Sequence, residues 1–172
     1  MSTTDTQAAA IAAFEQGRSA FERELRAAPA DSLRYLQPGD DYALGGLVHH
    51  VNAVLEHYLG ALDAIAGSGF QETDVADRPG LFEDANAMAK AGVSPQELDA
   101  ALGEMGRLHE TVAARLAAFP GADFERKAPV RYEAGADPYP TSPADVAGWL
   151  SGHYDEHVPQ VRQLLESWQA SR

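Results

Sequence analysis

The chain has 172 residues, 45% of them hydrophobic, which is the length of one ordinary domain with enough apolar side chains to bury a core. Its formal charge of −13 argues against gripping a phosphate backbone, which depends on clustered Lys and Arg, so nucleic acid is not an expected partner. Cysteine is absent, which rules out disulfides, cysteine-ligated zinc and a thiol nucleophile; any metal must be held by His, Asp or Glu.

Apolar positions recur every three or four residues and period-two alternation is almost absent, which predicts an all-α domain. The first helix is expected over residues 5–28, with Ile11, Phe14, Phe21 and Leu25 along one side and Pro29 as its stop. After the linker PADSLRYLQPGDD, a second helix is expected over 42–66, its stripe formed by Leu44, Leu47, Val48, Val51, Val54, Leu55, Tyr58 and Leu62, with Gly67 and Gly69 ending it. Residues 70–93 mix turn signals with one short amphipathic piece, LFEDANAMAKA, read as a minor helix that covers one end of the bundle.

Ser94, Pro95 and Glu97 in VSPQEL form a capping box with proline at the first helical position, so a third long helix starts there and runs to about Phe119. Residues 120–141 are rich in Pro, Gly and Ala and are expected to form a long loop, a length at which loops are often functional. Ser142, Pro143 and Asp145 in TSPADV repeat the capping grammar and open a last helix that continues to about Trp168. Four such amphipathic helices bury their stripes most simply as a four-helix bundle, with the minor helix between the second and third and the long loop between the third and fourth. The N-terminal MSTTDTQAAA has neither a basic n-region nor an apolar h-region, and no run is long enough to span a bilayer, so a cytoplasmic protein without a membrane partner is expected.

The segment SGHYDEHVPQV carries the chemistry. Val146, Trp149, Leu150, Val161, Leu164 and Trp168 define the inward side of the last helix, and His153 and His157 fall near the centre of that arc. Four residues apart, the two imidazoles stack one turn above the other, the spacing by which one helix offers two nitrogens to one metal. Two desolvated imidazoles in an apolar patch are costly unless something shared compensates. The plainer alternative is a pair of core histidines, each satisfied by a neighbouring carbonyl or carboxylate.

A third ligand is sought on the second helix, in LVHHVNAVLEHYL. There His49 points with Asn52 and Glu56 to the polar side, whereas His50 lies on the flank of the apolar stripe between Leu47 and Val54. His57, one heptad on, is a second partner, a replacement ligand or a surface residue; His109, beside Met105 and Val112, reads as structural. HYDEH also fits the H-x-x-E-H order of inverted zinc peptidases, but the further acidic ligand those enzymes need well downstream has no counterpart before Arg172. Glu156, at the edge of the stripe, is a candidate base for a bound water. Pro159 removes a helical hydrogen bond to the carbonyl of Asp155 and is expected to bend the last helix near the site. The segment VRYEAGADPYP offers Arg131, Tyr132 and Tyr139 as candidate substrate-facing groups.

The stretch LVHHV on the second helix, followed about a hundred residues later by WLSGHYDEHVPQVRQLL, resembles the DinB/YfiT-like family of four-helix-bundle metalloproteins. The approach segment DSLRYLQPGDDYALGGL resembles that family as well. Carried over position by position, the resemblance implies a metal triad of His50, His153 and His157, with the register at the two adjacent histidines left open. It implies a divalent metal, zinc or nickel, with open positions for water or substrate. Characterised relatives include S-transferases of low-molecular-weight thiols and a mycothiol-dependent isomerase, and homodimers are common among them.

The expectation is therefore a metal-dependent transferase or hydrolase that activates a small thiol or water against a small-molecule electrophile. An open metal site makes its nucleophile without a protein cysteine. The rival from another class is a non-catalytic helical-bundle binding module, dimeric, with a structural metal or none.

Overall fold

Capping chemistry sets the two best-defined helix starts. In the computed structural model, which describes residues 3–172, Ser94 and Ser142 each accept a hydrogen bond from the amide three residues on, while Glu97 and Asp145 accept from the Ser94 and Ser142 amides in return. Each helix begins at the following proline, where a missing N–H costs nothing. The helices are α1 Thr3–Ala27, α2 Leu47–Ser68, the short α3 Leu81–Ala91, α4 Pro95–Ala118 and α5 Pro143–Ala170. α1 lies along α5 and α2 along α4, while α1 meets α4 and α2 meets α5, which closes the ring of a four-helix bundle. α3 packs on α2. No helix among the described residues is long and apolar enough to cross a membrane.

The core is drawn largely from the stripes read from periodicity, with Ile11, Val54, Tyr58 and Trp149 only partly buried at its edge. Phe14, Phe21 and Leu25 from α1, Leu47, Val51, Leu55 and Leu62 from α2, Met105, Val112 and Leu116 from α4, and Val146, Leu150 and Val161 from α5 are all essentially solvent-free. Removing each such side chain from water contributes about 1.5–3 kcal/mol, so the bundle is held mainly by this interior.

Two expectations need correction. The second long helix begins at Leu47, not Tyr42, because the amides before it are engaged elsewhere: Ala43 donates to the Ala89 carbonyl (2.9 Å), Leu44 to that of Tyr35 (2.9 Å) and Gly45 to that of Leu33 (3.0 Å). Chain crossing there is so close that a Cβ on Gly46 would sit 1.9 Å from the Ala89 oxygen, so only glycine fits. At its other end the helix runs through Gly67 to Ser68, and Gly69, left-handed at φ 61°, caps the last turn.

The 120–141 segment is not all loop. It contains a 3-10 turn at Gly121–Asp123 and two strands, β2 Ala128–Arg131 and β3 Tyr139–Thr141, and a two-residue strand β1, Thr73–Asp74, joins them in the order β1-β2-β3. β1 runs parallel to β2, and β2 antiparallel to β3 with Pro129 opposite Pro140. Prolines in both strands and lengths of two to four residues hide the period-two signal. α5 continues as helix through Pro159 to Ala170.

Candidate metal centre

α2 and α5 are packed against each other, and this brings three imidazoles to one point. Nε2 of His153 lies 3.1 Å from Nε2 of His50 and 3.0 Å from Nε2 of His157, and a ligand atom from each of the three lies within 4.8 Å of the others. His153 carries at most one proton on that nitrogen, so it cannot donate to both neighbours at once. Three nitrogens crowded together at hydrogen-bond distance are what a shared cation relieves.

Burial favours the neutral form of all three rings. Burial pushes the His50 imidazole down to about 4 and His153 down to about 3, with the neighbouring histidines acting in the same direction; burial also lowers His157, against the opposing pull of Gln160 and Glu156. Neutral rings expose the lone pairs that a metal binds. Gln160, three residues beyond His157 and on the same face of α5, places its Oε1 2.7 Å from the His157 Nδ1, which therefore donates; its Nε2 is left bare for the shared point. Nδ1 of His50 is buried without a hydrogen-bond partner, and the Asn86 side chain of α3 opposes the downward shift of the ring.

Aromatic rings wall the group. Tyr42 stacks on His50 (centroids 4.6 Å apart, 27° between planes) and presents its edge to His157, while Phe21 tilts against His157 from α1. On the other flank a cleft of about 510 Å³ opens, and its walls include His153, Trp149, Tyr58 and Phe82 with His57 and Glu156 at polar positions. His157 is 7% exposed and forms the floor of the group, whereas half-buried His153 faces the cleft.

The other sequence candidates take different places. His49 lines a separate groove with Asn52, Glu56 and Glu104, on the polar side of α2 as the helical period implied. His57 does not join the three nitrogens; its Nδ1 sits 2.9 and 2.8 Å from the two carboxylate oxygens of Asp77. His109 is fully buried, stacked on Phe14 at 3.8 Å with Nδ1 3.3 Å from the Tyr154 hydroxyl and Nε2 2.8 Å from a Glu15 oxygen. Glu156 is exposed at the cleft edge.

Arg131 is committed to ion pairs with Glu72 (2.8 Å) and Asp74 (2.9 Å) and to the Ala136 carbonyl. Tyr132 donates to the Thr141 hydroxyl, and burial pushes its phenol up to about 12. Its ring lies against His57 and Trp149, so it stands behind the cleft lining, while Tyr139 is exposed beside Trp149. Periodicity missed Tyr42, Gln160 and Asp77. Only Gln160 carried a local signal, its three-residue spacing from His157.

A sequence profile described as the DinB superfamily matches residues 13–161, which takes in His50 on α2, His153 and His157 on α5 and the segment that leads into α2. The chain belongs to the DinB superfamily. Neither the curated proteins nor the solved structures contain a significant match to it. Membership in this superfamily and the three-histidine group together fit a metal-binding DinB-like protein.

Proposed function

We propose that this DinB-superfamily protein is a metal-dependent enzyme that brings a small nucleophile, water or a low-molecular-weight thiol, to a small-molecule electrophile in the Trp149 cleft. The carrying observation is that the histidine joining the other two, His153, also lines an open cleft, so the nitrogens are shared between an interior floor and a substrate-sized space. His50, His153 and His157 are the residues that would hold the metal, and an all-imidazole donor set suits zinc or nickel. A divalent ion bound there would lower the pKa of water or a thiol toward neutrality.

The chain's own side chains supply the rest. His157 is oriented by Gln160, His50 is held flat by Tyr42, and Trp149, Tyr58 and Phe82 give an apolar wall that excludes bulk water from one side of a bound electrophile. The rival reading, a metal held only for stability, draws on the stacking of Tyr42 over His50, which covers one side of the group.

Elemental mass spectrometry of the wild type beside His153→Ala and His157→Ala, followed by a thiol-transfer and ester-hydrolysis screen of the metal-loaded protein, separates these readings. Near-stoichiometric zinc or nickel that both variants lose, with metal-dependent turnover, supports the enzyme. Metal uptake that raises stability without any turnover supports the structural reading, and a wild type that takes up neither metal after reconstitution sinks both.

A further inference from the structure

We propose that His57 and Asp77 form a proton-transfer pair for this same cleft, with the bare Nε2 of His57 accepting the proton of the nucleophile. The inference rests on the reading that the cleft is where an activated nucleophile meets an electrophile. His57 is on α2, one heptad beyond His50, and it lines the cleft together with His153. Both oxygens of Asp77 lie within 2.9 Å of its Nδ1. A carboxylate only accepts, so in the neutral ring the proton sits on Nδ1 and Nε2 carries the free lone pair. The tautomer is the one a general base needs.

The pair is built rather than incidental. The His57 side chain is 13% exposed and held among neighbouring rings, while Asp77 reaches it from the surface with 28% of its side chain in water. The imidazole is flanked by Tyr58 (5.0 Å, 72°), Phe82 (5.5 Å, 63°) and Tyr132 (5.6 Å, 44°), which leave it little freedom to turn away from the carboxylate. Asp77 is fixed from both ends. Ahead of it, β1 pairs with β2, Val75 donates to the Arg131 carbonyl (2.9 Å) and Arg131 clamps Asp74; after it, Arg78 bridges Glu56 of α2 (3.1 Å) and Asp84 of α3 (3.2 Å). The small sheet thereby acquires a role, since it holds the carboxylate that orients a histidine on the bundle.

In ester hydrolysis the water oxygen bonds to the carbonyl carbon as its O–H bond breaks, and that proton passes to Nε2 of His57. Asp77 balances the imidazolium. When the carbon–oxygen bond to the leaving group breaks, the electron pair departs with that oxygen, which takes the proton back from Nε2. A thiol donor delivers its S–H proton in the same way, and no oxidant or reductant is needed.

The test uses zinc-loaded, 15N-labelled full-length protein. Long-range proton–nitrogen spectra of the imidazoles are expected to show His57 as the Nδ1–H tautomer, and Asp77→Ala is expected to abolish that preference. With p-nitrophenyl acetate as the probe, His57→Gln is expected to lower the zinc-dependent kcat by about 10²- to 10⁴-fold while zinc content and thermal midpoint stay at wild-type values. Asp77→Ala should show a smaller loss in the same direction. His57 found as the Nε2–H tautomer, or His57→Gln turning over as fast as wild type with zinc bound, overturns the pair alone. A wild type that takes up no zinc, or that hydrolyses no faster with zinc than without, overturns the reading of the cleft and this inference with it.

Discussion

Nε2 of His153 lies 3.1 Å from Nε2 of His50 although 103 residues separate them along the chain. The contact exists because α5 places His153 on its inward face and α2 meets α5 at that level. Substituting any one of His50, His153 or His157 by Ala should therefore abolish stoichiometric uptake of zinc or nickel, whereas His49→Ala should leave it unchanged. Elemental analysis after reconstitution reads this directly. In the wild type, metal at about 100 times its Kd should raise unfolding stability by about 2.7 kcal/mol, and the three variants should lack the gain.

Gln160 acts through His157. Its Oε1 accepts from the His157 Nδ1 at 2.7 Å and so holds the ring's other nitrogen toward the shared point. Gln160→Leu should weaken metal binding about 10- to 100-fold without unfolding the bundle. Competition with a chromophoric chelator measures the change. An affinity equal to wild type would show that packing against Phe21 and Tyr42 orients His157 by itself.

His109 ties stability to pH. Burial pushes this imidazole down to about 4, with Glu15 opposing and Arg18 reinforcing the shift, and the Tyr154 hydroxyl is its other polar neighbour. The unfolded chain takes up a proton near 6.5 that the folded protein refuses. This contribution is thus fully present above about pH 6.5 and is lost as the pH falls toward 4, by about 2 kcal/mol at pH 5. Urea unfolding at pH 7 and pH 5 should show a difference between the two pH values that shrinks by that amount in His109→Phe. An unchanged difference would place the titration elsewhere.

Gly46 admits no side chain. A Cβ there would meet the Ala89 oxygen at 1.9 Å and the Ala89 carbonyl carbon at 2.7 Å, both backbone atoms that cannot swing aside. Gly46→Ala should destabilise the protein by about 3 kcal/mol. Because this glycine directly precedes α2, four positions before His50, the same variant should also lose metal affinity. Denaturant melts and metal titration on one sample distinguish the two effects.

The capping boxes are a milder case. Ser142→Ala removes the acceptor for the Asp145 amide and should cost about 1 kcal/mol, with metal uptake retained.

Much of this was legible in the chain itself because it is local chemistry. Helix starts at Ser94 and Ser142 are written within four residues, the stripes of α1, α2, α4 and α5 follow from a 3.6-residue repeat, and the inward pairing of His153 with His157 follows from the rise of one turn. His50 is a harder case. The wheel separates it from His49 only because an α-helix turns about 100° per residue, and its convergence with the α5 pair requires two helices to meet at the right level.

What the tertiary structure alone decided is what depends on contacts between distant segments. Backbone amides of residues 43–45 leave the helical pattern because carbonyls of Ala89, Tyr35 and Leu33 outcompete the next turn. β1 and β2 form because residues 73–74 come alongside 130–131, a pairing with no periodicity to reveal it. Asp77 finds His57 only after the sheet is in place, 20 residues away in sequence. Local propensity and hydrophobic period determine which residues face inward; which of them touch is determined by packing that the sequence encodes only through the whole fold.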